Sequence, residues 1–481
     1  MNFSREVVDA APAGARAIVE LTRDGDRREW TFGEVADRSA RLASALIARG
    51  VGRGDVVLTL IGNRPDWVLT MVACFRIGAI VLPANEQLRA KDLRMRCEKA
   101  QPKLIVADRR NAGELTAAGP ECEVVLVPDA SLYDHHLAAA VELEPTDPCL
   151  ITFTSGTTGE AKGVVHGQRY LPGQRLQAAH WLGAQPGDLV WCTAASGWSK
   201  SARNVFIAPW LQGAAALLHD ARFDPFERLE ILTAERVNVL CMAPTEYRVI
   251  AKRAPLSRLD DLRGLVAAGE ALNPEVLRAF QEGTGLQIRD GYGQTETGQL
   301  TGMPAGGAVR PGSMGRALPG VSLEIVDDEL VLAKPTSDPT FFVGYLDGEL
   351  SPENEPWRTG DRVRQDDEGH LFFEGRTDDL IISAGYRIGP FEVESALVSH
   401  QAVAEAAVVA APDEERGAVV RAVVVLRDGF APGDALAAEL QDHVKRETAP
   451  YKYPRIVDFA GELPKTTSGK VQRARLRQPR S

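Results

Sequence analysis

The stretch that most constrains this chain is Thr152-Phe153-Thr154-Ser155-Gly156-Thr157-Thr158-Gly159-Glu160-Ala161-Lys162-Gly163-Val164, which follows the strand-like run Cys149-Leu150-Ile151. Six successive hydroxyl or glycine residues, 154–159, sit between apolar segments. A polar surface turn is the plain reading, but such a turn rarely needs so many. Short hydroxyl donors, open glycine amides and one lysine are what a triphosphate requires of a loop. The spacing is not that of a Walker A loop, because two residues separate Gly159 from Lys162 and Gly163 follows the lysine.

Around this loop the chain alternates helix and strand patterns. Residues 31–50 carry Val35, Leu42, Ala45 and Leu46 at helical spacing and stop at Gly50. Strand-like runs follow at 55–61, 79–83, 104–107 and 124–127, with a helical pattern at 67–77, and the alternation resumes at 237–243 and 264–268. Such alternation predicts an α/β fold in which helices cover parallel or mixed sheets. From about residue 320 short strands with turn residues predict a small β-rich subdomain. After Asp378 the pattern becomes that of a small α+β unit: helical at 393–397 and 436–446, strand-like at 404–409 and 419–426. The expected division is therefore a large domain over 1–377 and a small one over 378–481. A length of 481 residues suits two or more domains, and 44% hydrophobic with 25% charged residues suits a large core.

Composition also excludes some functions. A net charge of -11 argues against nucleic acid or an anionic membrane as the main partner. The opening Met1-Asn2-Phe3-Ser4-Arg5-Glu6 lacks the apolar core of a secretory signal, and Glu6, Asp9 and Glu20 break the acid-poor character of a transit peptide. No apolar run approaches the ~20 residues of a membrane helix. Cys74, Cys97, Cys122, Cys149, Cys192 and Cys241 show no CxxC spacing, which fits reduced thiols and a cytoplasmic protein. The eight histidines form no HExxH-like pair, so a catalytic metal held by the protein alone is not expected.

Six motifs in one order give the chain a resemblance to the adenylate-forming superfamily. The loop at 152–164 resembles its phosphate-binding signature through Thr154, Ser155, Gly156, Thr157, Thr158, Gly159 and Lys162. Gly291-Tyr292-Gly293-Gln294-Thr295-Glu296, preceded by Asp290, resembles the segment that packs adenine on its tyrosine, meets the α-phosphate with its threonine and holds Mg²⁺ with its glutamate. A flat ring, a hydroxyl and a hard oxygen suit those tasks; a packed turn aromatic and a solvated acid are the plainer readings. Gly269-Glu270-Ala271 resembles the lining of the base pocket. Asp361, in Trp357-Arg358-Thr359-Gly360-Asp361, resembles the acceptor of both ribose hydroxyls. Arg376, in Gly375-Arg376-Thr377-Asp378, resembles a ribose or phosphate contact, and Asp378 the hinge of the small domain. Near the end, Lys470 in Pro464-Lys465-Thr466-Thr467-Ser468-Gly469-Lys470 resembles the lysine that bridges acid and α-phosphate, where a cation relieves the repulsion of two anions.

The resemblance spans 32–477 and implies ATP, Mg²⁺ and a carboxylic acid. The loop 383–394 resembles the one that enters for a thioester step, where Ala384, Gly385 and Tyr386 let a pantetheine arm pass and Arg387 contacts the acyl group. Tyr451-Lys452-Tyr453-Pro454-Arg455, with Lys445 and Arg416, resembles a coenzyme A phosphate site of the medium-chain acyl-CoA synthetase branch, and Gln87 stands where that branch places another contact. Ser196-Gly197-Trp198-Ser199-Lys200-Ser201-Ala202 resembles its acyl-pocket strip, with Trp198 shaping the tunnel; a core aromatic is the plainer reading. Ala195 stands where the branch usually has an acid, and the amino terminus is shorter than usual. The expected activity is an acid–CoA ligase on medium-chain fatty acids, with catalytic residues Lys470, Thr154 and Glu296. Small molecules are the expected partners, and a homodimer is compatible with them. The alternatives are a CoA ligase for aryl or short branched acids, an adenylation enzyme loading a carrier-protein thiol, and a degenerate adenylate sensor.

Overall fold

The computed structural model describes residues 1–155, 161–269, 272, 274–348, 350–351, 355–465 and 471–477. They group into two compact units. Met1–Leu272, Val276–Ser322 and Lys334–Pro356 make the first; Asn273–Glu275, Leu323–Ala333 and Trp357–Ser481 make the second.

In the first unit a seven-stranded sheet has the order Gly344–Tyr345, Ala161–Gly167, Pro148–Ser155, Ile80–Pro83, Val56–Leu60, Leu104–Asp108 and Glu123–Val127. The five strands from Pro148–Ser155 to Glu123–Val127 are mutually parallel. Their residues read as unbroken apolar runs, such as the buried Val57, Leu58 and Leu60, because helices cover both faces. Helix Pro65–Ile77 shows why one crossover holds. Pro65 fixes the first φ, Gly78 closes the helix at φ +74, and every residue but Asp66 is buried. Such a helix is apolar all round because it is enclosed.

The second sheet of this unit has nine strands. From Ile288–Gln294 through Gly264–Ala268, Val239–Met242, Leu189–Cys192 and Ala215–His219 to Arg16–Leu21 they are parallel. Antiparallel strands finish both edges: Arg27–Thr31 on one, Gly298–Gly302 and Arg316–Ala317 on the other. Of these strands the sequence patterns place Val239–Met242 and Gly264–Ala268. Arg27–Thr31 is a polar edge strand that buries Trp30 alone; Arg16–Leu21 lies inside it and buries only the short run Ala17, Ile18 and Val19.

In the second unit, Leu323–Val326, Glu329–Leu332, Trp357–Gln365 and Leu371–Arg376 form an antiparallel sheet, the β-rich segment read from the sequence. The hairpin Ile381–Ser383 with Tyr386–Ile388 follows. A three-stranded sheet of Val403–Asp413, Gly417–Leu426 and Ile456–Phe459 shares a core with helices Pro390–Val398 and Asp434–Glu447 through Val393, Leu397, Val408, Val424, Leu440 and Val444. Asp378 lies between the four-stranded sheet and this hairpin, in the short turn Thr377–Asp379.

Helix Phe32–Ala48 begins at a capping box. The Thr31 hydroxyl accepts from the Glu34 amide at 3.2 Å, and Glu34 accepts from the Thr31 amide at 2.8 Å. Thr31→Ala removes one of these caps, and chemical denaturation is expected to show a loss of about 1 kcal/mol with the denaturant slope unchanged.

Candidate active site

The described part of the phosphate-loop motif runs along two paired strands. Pro148–Ser155 and Ala161–Gly167 are antiparallel, with Thr154 opposite Lys162. Gly156, Thr157, Thr158 and Gly159 lie outside the described residues, as do the side chain of Ser155 and all of Glu270, Ala271 and Lys470. The Lys162 ammonium stands 4.5 Å from the ring centre of Tyr345, whose hydroxyl donates to Glu296 Oε1 at 3.2 Å. Tyr345 reaches this place because Gly344–Tyr345 adds an edge strand to Val164 and Val165. The hairpin cation and the Glu296 carboxylate thus share one aromatic neighbour. Sequence reasoning missed Tyr345; a two-residue strand leaves no periodicity to read. Among the described residues no group of three or more His, Cys, Asp or Glu is arranged to hold a metal. A Mg²⁺ ion that takes most of its oxygens from water and substrate phosphates needs one carboxylate of the protein, and Glu296 fits that need.

The strand Ile288–Gln294 carries the second motif. Tyr292, part-buried, donates its amide to Thr301 Oγ1 at 3.2 Å, and the Gln294 amide meets Thr297 Oγ1 at 3.1 Å. The flanking glycines are required by space. A Cβ on Gly293 would lie 1.8 Å from the Gly298 carbonyl, and one on Gly291 would lie 2.3 Å from Gln299 Nε2. Asp290 bonds the Gly291 amide at 2.8 Å. Lost hydration pushes its carboxyl up to about 8, against that bond and the nearby Lys200. Lys200 Nζ donates to the Ala268 carbonyl and occupies the space a side chain on Gly269 would fill. Trp198 is part-buried, held in a loop whose Gly197, at φ +88, lies against the Asn85 backbone.

In the second unit, Asp361 and Arg376 are cross-strand partners. Arg376 Nη1 donates to Asp361 Oδ1 at 3.3 Å and to the Thr359 carbonyl at 3.0 Å, and Nε donates to Asp378 Oδ1 at 3.3 Å. Burial alone lowers the guanidinium pKa, but Asp361 and Asp378 more than offset this and hold it above its ordinary value. Asp361 is only 5% exposed, so it is an ordered acceptor.

The residues assigned to coenzyme A fall into two groups in this unit. Ala384 and Gly385 form the hairpin turn at φ +48 and +83. The Ala384 amide donates to the Arg416 carbonyl at 3.0 Å, and a side chain on Gly385 would meet nothing within 4 Å. The exposed Tyr386 stacks on Tyr451 at 4.4 Å and 19°; Tyr451 opens the motif 451–455 but was given no contact of its own from the sequence. The other group centres on Tyr453, with Lys445 4.5 Å and Arg455 5.0 Å from its ring centre; Pro454 beside it is buried. Gln87 belongs to the first unit and donates its amide to Asn85 Oδ1 at 2.8 Å. The Arg387 side chain lies outside the description.

As a class, this is an α/β enzyme that carries a glycine-rich hairpin on a mainly parallel sheet and a smaller, β-rich second unit. Residues 5–337 match the AMP-binding enzyme family and residues 392–470 match the AMP-binding enzyme C-terminal domain, and the chain belongs to that family. It is 39% identical to the mitochondrial acyl-coenzyme A synthetase ACSM4 of Homo sapiens, over 99% of this chain and 90% of that protein. It is 37% identical to the uncharacterized acyl–CoA ligase YtcI of Bacillus subtilis (strain 168), over 99% and 96%. Among solved structures it resembles a benzoate CoA ligase from Burkholderia xenovorans LB400 with a TM-score of 0.88 and 28% identity, covering 99% of this chain and 100% of that one.

Asp290 yields a pH prediction with a definite sign. A carboxyl whose folded pKa is raised leaves the folded protein holding more protons than the unfolded chain between pH ~4 and 8. Its contribution to stability is full below that window and is lost as pH rises through it. Asp290→Asn removes this dependence, so the variant is expected to lose less stability than wild type between pH 5 and pH 8 in denaturant titrations. Parallel pH profiles for the two proteins would contradict it.

Proposed function

We propose that this AMP-binding enzyme is an AMP-forming acid–CoA ligase. It joins a carboxylic acid to coenzyme A, consumes ATP, releases AMP and diphosphate, and proceeds through an acyl-adenylate. Medium-chain fatty acids are the substrate class, in keeping with the medium-chain branch motifs. The observation that carries the reading is the hairpin that sets Thr154 opposite Lys162, with Lys162 and Glu296 sharing Tyr345. The names of the full-length relatives, acyl-CoA synthetase and acyl–CoA ligase, support the choice of reaction.

In the first step Thr154 and Lys162 hold the triphosphate, Tyr292 packs the base and Asp361 accepts from the ribose. Lys470 brings the acid's carboxylate oxygen to the α-phosphorus; an oxygen–phosphorus bond forms and diphosphate leaves. Glu296 would hold Mg²⁺, which would offset the charge on the phosphates. In the second step the small domain turns at Asp378 and Gly385 replaces Lys470. The CoA thiolate attacks the acyl carbon, a carbon–sulfur bond forms and AMP departs with the electron pair. The mixed anhydride is already activated, so no protein nucleophile is required.

A carrier-protein thiol is the rival acceptor. The cations around Tyr453 favour CoA, whose phosphates need them and a pantetheine arm does not. A cytoplasmic setting belongs to the same reading. Among the described residues no helix is long and apolar enough to cross a membrane, and the six cysteines are free thiols.

The two steps separate by mutation. Lys470→Ala is expected to lower acid-dependent diphosphate release by on the order of 10²–10³ while leaving thioester formation from added acyl-adenylate. Gly385→Leu is expected to leave a burst of diphosphate and slow the thioester. Equal loss of both steps in both variants would defeat the two-step scheme. Thioester formed on a phosphopantetheinyl carrier and not on CoA would move the acceptor to the carrier protein.

A further inference from the structure

The short helix Arg203–Ile207 follows directly on the strip 196–202 that the ligase reading assigns to the acyl group. Arg203 is 3% exposed, and its Nε and Nη1 have no hydrogen-bond partner. Among the described residues no carboxylate pairs with it. Water can accept from a buried guanidinium but cannot neutralise it, and an uncompensated buried cation is strongly disfavoured. The rest of this surface is polar as well. Asn204, fully buried, accepts from Gln177 Nε2 at 3.0 Å and leaves its own Nδ2 unused, as Gln177 leaves its Oε1.

Beside the guanidinium stands the phenol of Tyr170, whose ring lies 4.0 Å from that of His166 at 33°. His166 is 1% exposed and has an open Nδ1. Burial, with Arg203 and Arg169 nearby, pulls its pKa down to about 3, so it stays neutral and adds no second charge. His166 also faces the main chain of Thr295, which belongs to the nucleotide segment 291–296. The cluster therefore links the acyl strip to the nucleotide strand, and it holds the Arg203 guanidinium, with Arg169 nearby, and open donors on Arg203 and Asn204. An alkyl chain ending here would leave every one of these groups unsatisfied. A carboxylate would accept two N–H bonds from Arg203 and a third from Asn204 Nδ2.

We propose that Arg203, Asn204 and Gln177 form the far end of the acyl site, and that the acid this enzyme activates bears a second carboxylate there. The substrate class is an α,ω-dicarboxylic acid. One carboxylate is activated and the other is held by Arg203. This rests on the acid–CoA ligase reading and replaces the medium-chain monoacids given there with diacids.

The test uses the full-length enzyme with ATP and CoA and two series of acids. One runs from butanoate to decanoate; the other is the α,ω-dicarboxylates of the same lengths. Thioester formation is expected to favour the diacid of the best length by at least about tenfold in kcat/KM, because a site built for polar partners rejects analogues that lack them. Arg203→Met is expected to abolish or reverse that ratio. Asn204→Leu, a second variant should the first fail to fold, is expected to narrow it. Preference for the monoacids in wild type overturns the inference and leaves the ligase reading standing, as does a diacid preference unchanged in both variants. Thioester from neither series overturns both.

Discussion

The register of two antiparallel strands governs the rest of the first unit. Pro148–Ser155 is one of five parallel, buried strands, and Ala161–Gly167 folds back on it so that Thr154 and Lys162 stand opposite. A shift of one residue would turn both side chains to the other face. The parallel sheet beneath fixes the first strand, and Gly344–Tyr345 clamps the second from outside. Through Tyr345 that clamp ties Lys162 to Glu296. A cation for phosphate and a hard oxygen for a cation are thus placed by sheet geometry and not by a loop alone.

Packing at close range sets the second constraint. Gly291, Gly293 and Gly269 are glycines because a Cβ would meet Gln299, the Gly298 carbonyl and Lys200 at 2.3, 1.8 and 2.4 Å. Those contacts keep the segment around Tyr292 flat against its neighbours. In the second unit the equivalent work is electrostatic. Arg376 binds Asp361, Asp378 and the Thr359 carbonyl together, so the ribose acceptor and the hinge candidate share one guanidinium.

Much of this was legible in the sequence for physical reasons. Buried parallel strands write themselves as apolar runs, so 55–61, 79–83, 104–107 and 264–268 coincide with strands to within a residue or two. Contiguous motifs drew attention to 152–164, the Gly291–Glu296 segment and Asp361, though 152–155 and 161–164, expected as loop, are strands. A polar edge strand such as Arg27–Thr31 carries no such pattern, and the apolar run of Arg16–Leu21 is only three residues long. Tyr345, Tyr451 and Arg203 were not legible because each acquires meaning from a partner far along the chain: Lys162 and Glu296, Tyr386, and Tyr170. Only the fold shows that Arg203 is buried without a counter-charge among the described residues.

The central claim is that the acid attacks the α-phosphorus of ATP. Turning over an acid labelled with ¹⁸O in the carboxylate that reacts, with ATP and CoA, tests it directly by mass spectrometry of the nucleotide product. The account predicts AMP carrying one ¹⁸O and diphosphate carrying none, since the bridging oxygen stays with phosphorus when the thiolate cleaves the anhydride. Unlabelled AMP, or label in orthophosphate alongside ADP, would contradict it.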